Sequence, residues 1–223
     1  MRTTSRLGAA ILTVALTSGC TAPPAVDVDV DVGSRPSASP ADPSSRCDPD
    51  RLGDADRRSP AVDPGILYDG ILDYAPFGSL PAMVDASDVA LLGEVIGWRT
   101  AVRGRDDAAA VMQVAVTEPY ASTPADTDEV AIRFDPSHRF VTGDRVRLRL
   151  EDKSSAIPIG TCVIVVGERG TYVSLPPQGL MVERANGSFT GARVPRSDFF
   201  RWLPSETPRT QEFAALVAQL ENL

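Results

Sequence analysis

The sequence predicts an all-β protein: a small antiparallel barrel, preceded by a short helix and followed by an amphipathic C-terminal helix. About seven short strand-like runs lie between residues 89 and 192. The 17 glycines and 19 prolines favour many turns over long helices. Short strands separated by Gly- and Pro-rich turns are typical of closed or nearly closed antiparallel barrels.

Two segments give the clearest strand signal. In 129–134 and 145–150, apolar and charged residues alternate, as in a strand with one buried face. The run 89–98 is apolar on both faces apart from Glu94, which indicates a strand buried on both sides. Further strands are predicted at 111–118, 162–166, 171–175, 180–185 and 188–192. Asn186-Gly187 between the last two predicts a hairpin with a two-residue type I′ turn.

Helix signals lie before and after the strands. Ser79 is placed to cap a short helix over 80–86, with Pro81 in its first turn. Near the C-terminus, Thr207 is placed to cap a second helix and Pro208 suits its first position. The apolar face of that helix consists of Phe213, Leu216, Val217 and Leu220. This face packs on the barrel or, alternatively, binds a partner.

The N-terminus has the order of a secretory signal. Residues 1–6 are basic, 7–16 are apolar, and the small residues 17–19 precede Cys20. The apolar run is shorter than the roughly 20 residues that span a bilayer as a helix. We therefore expect residues 1–19 to be a signal peptide.

The stretch Leu16-Thr17-Ser18-Gly19-Cys20 resembles the lipobox of bacterial lipoproteins. In that family the cysteine thiol receives a diacylglycerol and the signal is cut before it. The usual pattern has Leu three positions before the cysteine, where this chain has Thr17. The resemblance implies that Cys20 is acylated and that the membrane is a partner, at its extracytoplasmic face. Simple secretion with an incidental cysteine is the alternative.

The domain organisation follows from composition. Residues 21–60 contain no aromatic residue and are rich in Pro, Asp and Ser, so 20–64 is predicted to be a disordered stalk. The barrel domain is predicted at 65–204 and the C-terminal helix at 205–223. The acidic run 27–33 does not fit a calcium loop, because Val32 stands where an EF-hand needs glycine. It is interpreted as a solvated linker.

The order of elements carries a second resemblance. A short helix leads into 87–95, then come 141–146, an apolar strand, and Gln178-Gly179 before the last hairpin. This resembles the small OB-like β-barrel domains exported by high-GC bacteria, over about residues 79–194. The resemblance implies an OB-like fold and little about activity, because one fold hosts many functions.

No catalytic motif stands out. The formal net charge is -8, which disfavours nucleic acid as a partner. The chain has no G-x-S-x-G elbow, Walker A loop or G-x-G-x-x-G pattern. The one histidine, His138, is interpreted as an exposed loop residue. One His with scattered Cys does not supply a zinc site, so neither metal nor cofactor is predicted.

Two sets of residues are candidates for a role. Arg133, Arg145, Arg147 and Arg149 share one outer face if their strands pair, and would bind an anionic ligand there. A solvated surface neutralised by Glu129, Glu151 and Asp152 is the alternative. Cys47 and Cys162 are the two thiols left once Cys20 is acylated, which suggests a disulfide. Otherwise Cys162 is simply buried in its strand.

These features favour an exported, lipid-anchored module of the cell envelope that binds an envelope protein or polymer without catalysing a reaction. The alternative is a hydrolase of envelope polymers that uses carboxylates at the barrel mouth. Two facing carboxylates in a deep pocket would favour the hydrolase. A shallow charged face would favour the binding module.

Overall fold

The computed structural model describes residues 46–52, 60–62, 75–103, 107–134, 153–192, 199 and 201–223. Cys20 and the lipobox, His138, and the strand predicted at 145–150 with its three arginines lie outside these residues. Among the helices of the described residues, none is both long and apolar enough to cross a membrane.

The described residues form a mainly β structure with few helices, so the predicted all-β class is confirmed. The elements are α1 (Leu80–Asp85), β1 (Val89–Arg103), β2 (Asp107–Tyr120), β3 (Glu129–Phe134), β4 (Cys162–Gly167), β5 (Leu180–Glu183), β6 (Phe189–Gly191) and α2 (Glu212–Glu221). Short helical turns lie at Pro49–Arg51, 153–156 and Arg209–Gln211.

The six strands form one antiparallel sheet in the order β3-β2-β1-β4-β5-β6. This order is open, with β3 and β6 at its two ends. Two isolated bridges lie outside the named strands: Ile132 of β3 pairs in parallel with Val173, and Glu168 pairs antiparallel with Ser174. The strand predicted at 171–175 is therefore present as single bridges.

Strand β4 and residues 89–93 of β1 are buried on both faces, as the apolar run of β1 predicted. In β4, Val163 and Val165 join one core cluster with Met112 and Ile132, while Ile164 and Val166 join the other. The first cluster also includes Ala156, Ile157 and Val173, which lie outside the strands, and the second lies between the sheet and the two α-helices. Burial of each such side chain contributes about 1.5–3 kcal/mol to folding.

Helix α1 begins as the sequence predicted. The Ser79 hydroxyl accepts a hydrogen bond from the Ala82 N–H at 3.3 Å, and Pro81 lies in the first turn. Such a cap satisfies an N–H that lacks a partner within the helix. The buried residues of α1 are Leu80, Met83 and Val84, which pack in the cluster between sheet and helices.

Helix α2 begins later than predicted, and its predicted cap is wrong. Thr207 does not cap it. Pro208 precedes a 3-10 turn at Arg209–Gln211, and α2 starts at Glu212 without a side-chain cap. The N–H of Phe213 donates instead to the Gly187 carbonyl at 3.2 Å, so a tertiary contact replaces the local cap. The predicted apolar face is confirmed, because its four members are buried in the cluster with α1.

The hairpin between β5 and β6 is confirmed, but the predicted type I′ turn is wrong. That turn needs a positive φ at both central residues, and here only Gly187 has one, at 73°. Arg184 N–H donates to the Ser188 carbonyl and Gly187 N–H to the Arg184 carbonyl, which leaves a three-residue loop, 185–187. The Asn186 side chain accepts from both the N–H and the hydroxyl of Ser188. These bonds hold Asn186 outside the left-handed region.

A disulfide joins Cys47 to Cys162, the two cysteines that the sequence singled out, with their Cα atoms 5.5 Å apart. Both cysteines are fully buried, and Leu52 packs in the same cluster. The turn at Pro49–Arg51 contacts α2. Residues 46–52 are therefore packed on the body, although they fall within the range assigned to the stalk.

Candidate functional site

Arg133 lies on the exterior of β3, half-buried, in a row that crosses three strands. It is directly opposite Val111 of β2, which is in turn opposite Arg99 of β1. Directly opposed residues share one face of a sheet. The adjacent row of Trp98, Met112 and Ile132 faces the core. Arg99, Val111 and Arg133 therefore lie on the outer face, and we call them the arginine row.

An aromatic ring accompanies the arginine row. The Arg99 guanidinium carbon lies 5.8 Å from the centroid of the Tyr172 ring, within the range of a cation–π contact. Val111, between the two arginines, is fully buried although it faces outward. The row thus combines two guanidinium groups with an aromatic ring.

Of the three carboxylates expected to neutralise the arginines, Glu151 and Asp152 lie outside the described residues, and Glu129 has a defined partner. The Gln113 side-chain amide donates to Glu129 Oε1 at 2.9 Å, across the β2–β3 pair. Of the four arginines predicted to form an anionic-ligand face, Arg133 is described; Arg145, Arg147 and Arg149 lie outside the described residues.

Arg99 was missed as a member of this face because of a β-bulge. Strict alternation from the buried Val89 would point Arg99 into the core. The register shifts between Val95 and Gly97, so Ile96 is an extra residue. The shift turns Trp98 inward and Arg99 outward. Ile96 itself is 42% exposed.

A cleft of about 210 Å³ lies between the β2–β3 loop and the turn that follows β4. We call it the loop cleft. Its polar lining consists of Thr123, Thr127, Glu129, Arg169, Gly170 and Thr171. Its apolar lining consists of Val89, Val130, Ala131 and Val173.

Hydrogen bonds fix both walls of the loop cleft to the start of β1. Arg169 N–H donates to Asp88 Oδ1, and its Nη2 donates to the carbonyls of Asp88 and Ser122, both at 3.5 Å. The Thr123 hydroxyl donates to the Ala90 carbonyl and accepts from the Ala90 N–H, at 2.8 and 2.7 Å. These hydrogen bonds hold the walls of the cleft in place, which lowers the entropic cost of binding a ligand.

Sequence reasoning did not find the loop cleft. Arg169 and Asp88 are 81 residues apart, so no local pattern links them. A Gly on each side of 168–169 indicates only a turn. The cleft results from loop packing, which leaves no periodic signal.

The described lining of the loop cleft has one carboxylate, that of Glu129, whereas glycoside hydrolysis uses a facing pair. Within the described part of the chain, no three His, Cys, Asp or Glu side chains are grouped so as to hold a metal ion. The lining also offers a cation, hydroxyls and backbone N–H groups, which can donate hydrogen bonds to a ligand.

No protein-family model, curated protein or solved structure matches this chain. The chemistry of the described surface therefore carries the functional assignment.

Proposed function

We propose that this protein is an exported, lipid-anchored module of the cell envelope that binds an anionic envelope polymer without catalysis. The observation that carries the binding role is the arginine row: two guanidinium groups on one sheet face, with Tyr172 beside Arg99. The lipobox-like sequence ending at Cys20 supports the export and the anchor.

Charge favours this face as the ligand site. The chain as a whole carries a net charge of -8, so its field repels a polyanion except where cations are grouped. Arg99 and Arg133 lie on strands separated by one strand, so their Cα atoms are about 10 Å apart. One planar guanidinium group can bind two oxygens of the same phosphate or carboxylate, which makes the contact geometrically selective. Two such groups suit successive charges along a polymer.

We further propose that the curved sheet is a small OB-like barrel. Its support is the pair of isolated bridges. Ile132–Val173 links β3 to segment 173–174, and Glu168–Ser174 links that segment to the end of β4. In a barrel of this kind the ladder β3-β2-β1-β4 would return to β3, with this segment as its fifth member. In OB barrels, which have five strands, the face of strands 2 and 3 binds oligosaccharides and oligonucleotides. Val111 and Arg133 lie on the corresponding outer face.

The binding role is tested with poly(glycerol phosphate) as the anionic probe and neutral polyglycerol of equal length as its control. We expect the purified full chain to bind the phosphate polymer and not the neutral one, more weakly as salt is raised. Arg99→Gln with Arg133→Gln should weaken binding at least tenfold. The matched control is Arg184→Gln with Arg209→Gln, which removes two exposed arginines elsewhere. Equal affinity of the two double variants would exclude the arginine row as the site.

The anchor is tested separately with Cys20→Ala. If Cys20 is acylated, this variant remains an uncleaved precursor or is released to the medium, because the lipid is absent. Fractionation and mass measurement distinguish these species from the parental protein. A mature-sized variant recovered in the membrane fraction would contradict the lipoprotein assignment.

A further inference from the structure

We propose that the loop cleft binds a small hydroxylated carboxylate, either free or as the end unit of a longer chain, with its carboxylate on Arg169. The cleft lies between the β2–β3 loop and the turn after β4, and its lining includes neither Arg99, Val111 nor Arg133. The inference therefore does not depend on the arginine row.

Arg169 is positioned to receive a carboxylate. Its Nη2 donates to the Asp88 and Ser122 carbonyls, so its side chain is already ordered. A guanidinium group carries five N–H donors, and three of them remain on Nε and Nη1. Both parallel donor pairs of a guanidinium group include Nη2, so the remaining Nε–H and Nη1–H groups each offer a single charge-assisted hydrogen bond to a carboxylate. The side chain therefore offers a charged donor without a large ordering cost.

The turn beside Arg169 adds donors. The backbone N–H groups of Gly170 and Thr171, both in the cleft lining, donate to no other group among the described residues. Successive N–H groups in a turn form a concavity that favours anions. The hydroxyls of Thr127 and Thr171 lie in the same lining.

The opposite side of the cleft selects against a second negative charge. Glu129 lines the cleft, with its Oε1 held by the Gln113 amide. Its carboxylate repels a further anionic group and accepts hydrogen bonds from ligand hydroxyls. A single carboxylate with several hydroxyls fits this combination of Arg169, Glu129 and threonines. A polyphosphate or a dicarboxylate does not.

The size of the cleft further limits the class of ligand. The cleft volume of about 210 Å³ is below the roughly 300–1,000 Å³ of sites for drug-sized ligands. It therefore accommodates one small unit, such as a single sugar acid. The apolar residues Val89, Val130 and Val173 provide a surface for the C–H groups of such a ring.

The experiment titrates three probes into the purified full chain by calorimetry and by amide NMR. Glucuronate carries both the ring hydroxyls and the carboxylate, glucose has no carboxylate, and acetate has no hydroxyls. We expect glucuronate to bind at least tenfold more tightly than either of the others. The amide signals of Gly170 and Thr171 should shift with glucuronate.

Variants locate the site. Arg169→Gln should weaken glucuronate binding at least tenfold, and Arg169→Lys should restore it only in part, because lysine keeps the charge but not the two Nη2 contacts that order the side chain. Thr171→Val keeps the Arg169 cation and should weaken glucuronate binding severalfold. This variant still tests the site if Arg169→Gln does not fold. Arg184→Gln, at an exposed arginine outside the cleft, should bind as the parental chain does. Thermal unfolding of each variant establishes that it is folded.

Three results would overturn the inference: equal affinity for glucose and glucuronate, unchanged binding by Arg169→Gln, or glucuronate shifts that avoid Gly170 and Thr171. Poly(glycerol phosphate) should not displace glucuronate. Displacement would mean that the cleft is part of the polymer site. If the Arg99→Gln and Arg133→Gln double variant loses polymer binding but still binds glucuronate, the result supports the cleft as a separate site.

Discussion

At the scale of single residues, Tyr120 is an exception within an otherwise apolar cluster. Its side chain is buried at the end of β2, and among the described residues its hydroxyl has no hydrogen-bond partner. Burial raises the pKa of this phenol well above its usual range, and the charges of Glu221 and Glu118 add to the effect. The folded protein therefore holds the proton more tightly than the unfolded chain does.

This difference predicts a loss of stability at alkaline pH. Below about pH 10 both states are protonated, so Tyr120 contributes no pH dependence. Above that value the unfolded chain releases the proton while the folded protein keeps it, so the free energy of unfolding falls as pH rises. We expect urea unfolding to show a decline above about pH 10 that Tyr120→Phe reduces.

At pH 7, Tyr120→Phe should leave the free energy of unfolding unchanged or raise it by up to about 1 kcal/mol, because it removes an unpaired buried hydroxyl. Tyr172→Phe, at a partly exposed ring, is the matched control and should retain the alkaline decline. A loss of more than about 1 kcal/mol at pH 7 in Tyr120→Phe would show that the hydroxyl has a partner.

At the scale of elements, the β5–β6 hairpin and α2 fold as one unit. Gly187 has φ of 73°, its carbonyl accepts from Phe213 N–H, and a Cβ on it would clash with the Thr210 carbonyl oxygen. The turn therefore sets where α2 begins. This contact explains why a three-residue loop replaces the expected two-residue turn.

Substitution of Gly187 tests this coupling. Gly187→Ala should lower the free energy of unfolding by at least about 1–2 kcal/mol, since alanine pays for the left-handed backbone and displaces Thr210 as well. Gly78→Ala is the control, because an added Cβ there meets nothing within 4 Å. Its effect should stay within about 0.5 kcal/mol. Equal urea midpoints for the two variants would refute the coupling.

At the scale of the whole molecule, the disulfide decides where the packed body begins. Cys47 and Cys162 are separated by 115 residues, and the bridge holds 46–52 against α2 and the sheet. If Cys20 carries the lipid, the segment between the anchor and the body ends near Arg46. The disulfide then connects that segment to the body at Cys162, the first residue of β4.

Proteolysis and unfolding test the bridge together. Cys47→Ala with Cys162→Ala should lower the free energy of unfolding by at most about 4–5 kcal/mol, the chain-entropy value for so long a loop. Limited proteolysis of the unreduced parental protein should cut before Arg46 and leave 46–52 attached to the body, even after cleavage nearer residue 64. Reduction should release that peptide.

Alkylation under non-reducing conditions, followed by mass measurement, provides the control. Two free thiols in the unreduced mature protein would exclude the bridge. A resistant fragment that starts inside 88–192 would contradict the predicted domain boundaries.

The features that could be predicted from the sequence are those that depend on residues close together in the chain. The Ser79 cap, the strands at 89–98 and 111–118, and the buried face of α2 all follow from capping chemistry or from side-chain periodicity within a few residues. Arg133 was placed on an outer face by the same alternation. Its partner Arg99 was not, because one extra residue at Ile96 reverses the alternation.

The sequence by itself thus determined the all-β class, the element types, one arginine of the exterior row and the pair of cysteines worth testing. Tertiary structure alone decided the open strand order, the turn at Gly187, the start of α2 and the loop cleft around Arg169. The physical reason is the distance along the chain over which each effect acts. Capping and periodicity act over one or two turns of chain, whereas register, bulges and loop packing are set by contacts between segments tens of residues apart.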